Sequence, residues 1–238
     1  MLIIRRFLFI GVLLFLVTTV IMGQARPGLG PTDRGLTVEE SFLQESVELM
    51  IIREQARAES RDMKLVALEY INDAINRGNR SDEIRQVLES LSMEGIINIT
   101  RENGRVTNNF PDVRLRSATL LGTLGTPEAR NTLIRIILAD NEPMVITEAI
   151  RVLGHFDSDD NDDAIRTIAW TVDRFNRLNP NNMLALAALE AFERKAALNN
   201  GVLDPSVIRV IISIIEGPYI RPVQMRARQL LSDLRGVD

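Results

Sequence analysis

The acidic stretch from Asp157 to Asp163, DSDDNDD, is the part of this sequence whose residue types and spacing best suit metal binding. Its alternating oxygen side chains resemble the first half of an EF-hand calcium loop. They are Asp157, Asp159, Asn161 and Asp163. Such a loop also needs glycine at its sixth position and a bidentate glutamate at its twelfth, where this chain has Asp162 and Ile168. The pattern therefore favours an acidic turn whose last residues lie at the positive N-terminal end of a helix. A cation held by an incomplete oxygen set remains the alternative.

Few other residues suit catalysis. The chain has no cysteine, and His155 is its only histidine, which excludes a cysteine nucleophile and a histidine metal cluster. No glycine-rich phosphate loop or nucleophile elbow is present. His155 is expected at a helix end, where a cation complements the helix dipole. The sequence thus predicts a protein without catalytic residues, metal or cofactor, and an unrecognised carboxylate-dependent hydrolase remains an alternative.

The net charge of the chain indicates whether nucleic acid is a plausible partner. The chain has 28 basic and 32 acidic side chains and a net charge of −4. Nucleic-acid-binding domains are usually basic. The balance therefore argues against a nucleic-acid partner.

The N-terminal residues have the pattern of a secretory signal peptide. Arg5 and Arg6 precede an uninterrupted apolar run over 7–22, and small residues at Gly23 and Ala25 suit cleavage after Ala25. The 16-residue run is short for a membrane span of about 20 residues. We expect a signal peptide over 1–25, a Gly/Pro-rich flexible linker over 26–36 and a bacterial periplasmic location. The alternatives are secretion, or retention at the inner membrane by an uncleaved N-terminal helix. No later stretch is long enough to cross a membrane.

Five ten-residue segments repeat one pattern. They are MKLVALEYIN, VRLRSATLLG, VITEAIRVLG, LALAALEAFE and VQMRARQLLS, beginning at Met63, Val113, Val145, Leu184 and Val223. Apolar or small residues at offsets 0, 4, 7 and 8 share one helical face. The segments begin 50, 32, 39 and 39 residues apart, and about 40 residues hold two helices and two turns. Partner helices are expected between them at 39–58, 81–94, 127–140, 162–178 and 205–216.

Two of these segments support a resemblance to a known family. PDVRLRSATLLGTLG, from Pro111 to Gly125, resembles the second helix of a HEAT repeat, and EPMVITEAIRVLGHF, from Glu142 to Phe156, is a more degenerate copy. The resemblance covers roughly residues 37–236. It implies an all-α fold, a right-handed α-solenoid of about five HEAT-like helix pairs, and a protein partner. A non-repeating helical bundle is the alternative.

An insertion accounts for the longest interval. Residues 95–110, GIINITRENGRVTNNF, contain Asn103-Gly104, the strongest short signal for a hairpin turn. This predicts a small β-hairpin or an ordered loop. Insertions in solenoids tend to gather on the binding face, so Asn103 and Gly104 are candidate partner-binding residues.

Arginines on the second helices are the other candidates. Arg114, Arg116, Arg151 and Arg226 stand at offsets expected mostly to face away from the core, as does Arg228. The resemblance implies that second helices line a concave surface, where such a row could grip acidic peptides or phosphates. The alternative is weak salt links to neighbouring acids. We therefore expect a non-enzymatic exported scaffold or adaptor of an envelope-associated assembly. An exported ligand- or metal-binding module is the alternative.

Overall fold

The computed structural model describes residues 37–156, 163–199 and 204–235. The predicted signal peptide (1–25), the linker (26–36) and residues 157–162 of the acidic stretch lie outside the described residues. The chain divides into two compact units, Met1–Gln44 and Glu45–Asp238. Of the first unit, the structure describes residues 37–44, which hold the start of helix α1.

Ten α-helices and one two-stranded sheet form the described residues. In chain order they are α1 (Val38–Arg57), α2 (Arg61–Asn76), α3 (Asp82–Ser92), β1 (Arg101–Glu102), β2 (Arg105–Val106), α4 (Pro111–Leu124), α5 (Pro127–Ala139), α6 (Pro143–Leu153), α7 (Asp163–Leu178), α8 (Asn182–Leu198), α9 (Pro205–Glu216) and α10 (Arg221–Arg235).

Local signals in the sequence explain where helices begin and end. Proline occupies the first position of α4, α5, α6 and α9, where it interrupts no helical hydrogen bond. The Thr126 hydroxyl caps α5 by accepting from the Ala129 N–H at 3.2 Å. Gly125 ends α4 with φ of 67°, a left-handed conformation that glycine adopts without strain. Each boundary therefore follows from residues within one turn of it.

The helices of Glu45–Asp238 form two stacked rows. The even-numbered helices α2, α4, α6, α8 and α10 pack each on the next, and the odd-numbered helices α3, α5, α7 and α9 do the same. Each odd helix in that row also packs on the even helix that follows it, and α2 contacts α3. This successive packing confirms the prediction of an all-α solenoid with a small β insertion.

Small residues let neighbouring even helices approach closely. A Cβ on Gly122 would lie 2.3 Å from Cγ1 of Val152, which joins α4 to α6. A Cβ on Gly154, just after α6, would lie 2.8 Å from Cβ of Ala191 on α8. Such contacts leave no room for a larger side chain, so glycine and alanine set the spacing of this row.

No helix of residues 37–156, 163–199 and 204–235 is both long and apolar enough to cross a membrane.

An anchored hairpin and a methionine-lined face as candidate binding sites

The insertion folds as the predicted hairpin. Strands β1 and β2 are antiparallel, with Arg101 opposite Val106 and Glu102 opposite Arg105. Asn103 and Gly104 connect them with φ values of 49° and 79°. Two successive positive φ values are typical of a type I′ turn, whose twist matches that of the flanking strands. Asn103 and Gly104 are both exposed at the tip.

Apolar side chains project from the hairpin into solvent. Ile97, Ile99 and Val106 are between 37 % and 65 % exposed. Around them lie the exposed charges of Arg101, Glu102 and Arg105. Within the described residues, the insertion therefore presents apolar side chains that no neighbouring helix covers.

Arg114 does not face away from the core, and this part of the sequence prediction is wrong. Its side chain is 2 % exposed. Its Nε and Nη2 donate to the Asp140 carboxylate at 2.8 and 3.3 Å. Its Nη1 donates to the Glu94 carbonyl at 3.0 Å and to Asn109 Oδ1 at 2.8 Å. Arg114 is removed from the partner-binding set because its donors are satisfied inside the protein.

A second buried cation holds the other side of the insertion. Lys64 of α2 donates from Nζ to the Ala56 carbonyl at 2.9 Å and pairs with Glu94 Oε1 at 3.3 Å. Asn108 Nδ2 donates to the same Glu94 carboxylate at 2.9 Å. Asn108 Oδ1 accepts the Thr100 N–H at 2.8 Å. We call Lys64, Glu94, Asn108, Arg114 and Asp140 the anchor network.

The anchor network fixes the hairpin on three elements at once. It joins the base of the insertion to α2, to α4 and to the turn before α6, where Asp140 Oδ1 also accepts the N–H groups of Asn141 and Glu142 at 2.8 and 2.9 Å. Taking such charges out of water is expensive. Such pairs often add little net stability, but their directional bonds here join the base of the hairpin to α2 and α4.

Backbone contact tightens the same junction. Gly95 has φ of 74°, and a Cβ there would lie 2.5 Å from the Asn108 carbonyl oxygen. Only glycine fits both the conformation and the space. Glycine at position 95 thus lets the two ends of the insertion approach each other.

The remaining arginine candidates lie on what we call the second-helix face, the exposed side chains of the even-numbered helices. Arg151 donates to Glu148 at 2.5 and 3.0 Å, and Glu148 also accepts the Thr119 hydroxyl of α4 at 2.6 Å. Arg226 of α10 donates to Glu193 of α8 at 2.6 and 2.5 Å. Hydrogen bonding to Glu148 and to Glu193 raises the pKa of Arg151 and of Arg226, respectively.

These pairs match the alternative of weak salt links to neighbouring acids, within α6 for Arg151 and between α10 and α8 for Arg226. Exposed pairs of this kind contribute little to stability. Arg116 is exposed and makes no ion pair within the described part of the chain. Partner binding by Arg116, Arg151 and Arg226 stays a prediction.

Methionines give the second-helix face an apolar character that sequence reasoning missed. They lie near the starts of α2, α6, α8 and α10 and are between 42 % and 65 % exposed: Met63, Met144, Met183 and Met225. Met144 and Met183 each stand one residue before offset 0 of their segments. That shared position in the repeat was the sequence signal from which an apolar patch could have been predicted.

Two of these methionines line a groove across α4, α6 and α8. Leu115, Met144, Thr147 and Met183 contribute its apolar surface, and its volume is about 540 Å³. Its polar lining residues, which we call its rim, are Glu142, Glu148, Arg151 and Asn181. We call this cavity the methionine groove. Methionine suits such a surface because its flexible, polarizable side chain adapts to different partners.

A second cavity, of about 560 Å³, continues from the groove past Arg151, which lines both. Thr119, Gly122 and Thr123 of α4 face Val152, His155 and Phe156 across it. His155 is exposed, and its Nδ1 lies 2.7 Å from the Arg151 carbonyl oxygen. The histidine thus sits at the end of α6 as predicted, in contact with that helix end.

The chemistry of the acidic stretch can be followed only at its last residue. Asp163 begins α7 and forms an ion pair with Arg130 of α5. Among the residues that the structure places, no three or more His, Asp or Glu side chains form a group that could hold a metal ion. Residues 157–162 lie outside that set, so cation binding there stays a hypothesis.

Residues 103–178 match the family model for HEAT repeats. The matched range runs from the hairpin turn to the end of α7. No curated protein matches the chain. The match and the paired helices together support a HEAT-repeat protein. HEAT repeats generally mediate contacts between proteins and are typically non-catalytic.

Proposed function

We propose that this chain is a non-enzymatic scaffold that binds another protein through its second-helix face, with the methionine groove as the main contact. The observation that carries the proposal is the groove itself. Met144 and Met183 expose more than half of their surface beside Leu115. Such a cluster of apolar side chains inside a polar rim is the anatomy of a protein interface.

The chemistry of the groove favours a polypeptide over a small polar ligand. Its floor offers apolar side chains, and the Glu148–Arg151 pair occupies two of the three charged groups of its rim, the third being Glu142. Methionine and arginine are enriched in protein interfaces. An apolar anchor residue of a partner would displace water from the floor, and polar residues beside it would contact the rim.

We also propose that the protein acts in a bacterial envelope, as an exported component of a larger assembly. Support comes from the sequence alone: Arg5, Arg6, the apolar run over 7–22 and the small residues before position 26. Intact-mass measurement of protein recovered from the envelope fraction tests export. A mature chain beginning at Arg26 supports cleavage, and full-length protein in the membrane fraction supports an uncleaved anchor.

Site-specific photocrosslinking tests the groove. A photoreactive residue at position 144 should capture one major protein in native envelopes, and Met183→Glu should abolish that product because it places a charge on the apolar floor. Met50, exposed on α1 and outside the groove lining, provides the matched position for both probe and glutamate. The same product from position 50, or no product from position 144, would contradict the proposed surface.

A further inference from the structure

We propose that the hairpin is a second docking site, at which the outer edge of β1 pairs with an extended segment of a partner protein that carries an apolar and an acidic residue two positions apart. This site goes beyond the proposed function because it shares no residue with the methionine groove. It would give the scaffold two independent contacts.

The hydrogen-bond pattern of the hairpin leaves one edge available. The Thr107 N–H donates to the Thr100 carbonyl at 3.0 Å, and Glu102 and Arg105 flank the two-residue turn. Bonded and non-bonded pairs alternate in an antiparallel ladder. The intervening pair, Arg101 and Val106, is therefore non-bonded, and its backbone N–H and C=O groups point outward.

Ile99 extends that edge. Its N–H and C=O groups have no hydrogen-bond partner among the described residues. Residues two apart on a strand direct their backbone groups to the same side. Ile99 and Arg101 together thus offer up to four hydrogen bonds along β1. A segment that satisfies them has to be extended.

The edge is held ready for such a segment. The anchor network fixes the base of the hairpin, since Asn108 binds Glu94 and the Thr100 N–H. The type I′ turn fixes its tip. A site that is ordered before binding loses less conformational entropy when the partner arrives.

The side chains define the chemistry of the occupant. Ile99, Arg101 and Val106 share one face of the hairpin, because paired residues and residues two apart lie on the same side. Residues 97–107 contain two arginines and one glutamate, and Arg105 makes no ion pair within the described residues. A second copy of the hairpin would carry the same positive excess and is therefore the poorer complement. An acidic, partly apolar strand is complementary in both charge and shape.

Peptide display on the full chain tests this directly. A library of random decapeptides should yield binders with an apolar and an acidic residue two positions apart. Ile99→Asp should weaken them at least about tenfold, because it removes apolar contact and adds a repelling charge. Arg101→Pro should weaken them about tenfold by removing one outward N–H, since proline is tolerated at an edge where the N–H faces solvent. Arg101→Ala retains that N–H and is the matched control.

A peptide-side control keeps the test independent of the variant's folding. N-methylation at alternate residues of a selected peptide removes donors to the β1 edge and should abolish binding to the unaltered protein. N-methylation at the intervening residues should leave binding within about threefold. Equal effects of the two patterns would overturn strand pairing.

The remaining outcomes separate this site from the methionine groove. Binders lost on Met183→Glu but retained on Ile99→Asp would overturn the hairpin site and support the proposed function. Binders lost only on Ile99→Asp support the hairpin site even if the groove proposal fails. Failure to select any binder would overturn the hairpin site. Sedimentation showing a dimer that Ile99→Asp dissociates would do so too, because the occupant would then be a second copy.

Discussion

Two arginine–carboxylate pairs in this molecule have the same bidentate geometry and opposite surroundings. Arg114 binds Asp140, and Arg226 binds Glu193, each through Nε and Nη2. The side chains of the first pair are each 2 % exposed, whereas those of the second are 47 % and 30 % exposed. The buried pair anchors an insertion to the solenoid, and the exposed pair links α8 to α10 at the surface. Geometry alone therefore does not reveal what an ion pair does, and burial has to be known.

The largest effect is expected from breaking the buried pair. Arg114→Met leaves the Asp140 carboxylate buried without its counter-charge and should lower the free energy of unfolding by about 3–5 kcal/mol. Urea denaturation followed by circular dichroism measures this. The matched control, Arg116→Met on the same helix, should change stability by less than about 0.5 kcal/mol. A loss below about 1 kcal/mol for Arg114→Met would show that the site relaxes or admits water.

The second-largest effect is expected at Gly95, where the two ends of the insertion meet through backbone contact rather than through charges. Gly95→Ala forces a side chain into a left-handed conformation and against the Asn108 carbonyl 2.5 Å away, which should cost about 2–4 kcal/mol. Gly78 has φ of 93° and open space around it, so Gly78→Ala pays for conformation alone, about 1 kcal/mol. Equal losses in thermal melts of the two variants would argue against a tight junction.

The buried hydroxyl of Tyr219 is neutral, and it should make the stability of the protein depend on pH above about pH 10. Burial raises the pKa of Tyr219 to about 12, and its hydroxyl donates to Asn176 Oδ1. The unfolded chain loses this proton near pH 10, so the folded state holds it between pH 10 and 12 and stability falls as pH rises through that window. The expected loss is about 2 kcal/mol. Subtracting the pH profile of the free energy of unfolding of Tyr219→Phe from that of the unaltered protein isolates this loss. A difference that does not change between about pH 10 and 12 would contradict the burial of the hydroxyl.

The smallest effect is expected at the exposed pair. Arg226→Ala should destabilise the protein by at most about 1 kcal/mol, and the difference should shrink in about 1 M salt because exposed charges are screened. Arg228→Ala, on the same helix, is the reference. A loss as large as that of Arg114→Met would remove the contrast between the two pairs.

The helices and the hairpin could be predicted because their signals are local. The helix expected at 162–178 is observed at Asp163–Leu178, and its regularly spaced apolar residues are buried: Ile165, Ile168, Ala169, Val172 and Phe175. Asn103-Gly104 specifies its turn through its own backbone preferences. None of these features depends on residues far away in the sequence.

The burial of Arg114 was not predicted because the width of a buried face depends on the neighbouring helices. Arg114 stands at offset 1 of its segment, only about 20° from the buried offset 8 on a helical wheel. Lys64 occupies the same offset in α2 and is also buried, whereas Met63 beside it at offset 0 is exposed, against expectation. Ile146 and Ala185 stand at this offset in α6 and α8 and are fully buried. The apolar residues at offset 1 in α6 and α8 were therefore the available signal for a buried position.

The methionine groove was beyond prediction for a related reason. Met144 and Met183 follow the register of their segments, but a groove also requires the distances between α4, α6 and α8. Those distances are set by Gly122 against Val152 and by Gly154 against Ala191. Such contacts lie between repeats, and the period of one repeat does not contain them.

The anchor network also has a consequence for how the solenoid opens. Helix pairs in a repeat array usually depend only on their nearest neighbours, so the array can unfold piecewise. Here Lys64 of α2, Glu94, Arg114 of α4 and Asp140 in the turn between α5 and α6 are connected through shared buried bonds. If one of these elements unfolds, the charged groups on the others remain buried without their partners. The N-terminal part of the array should therefore unfold as one cooperative block, with α9 and α10 free to fray ahead of it.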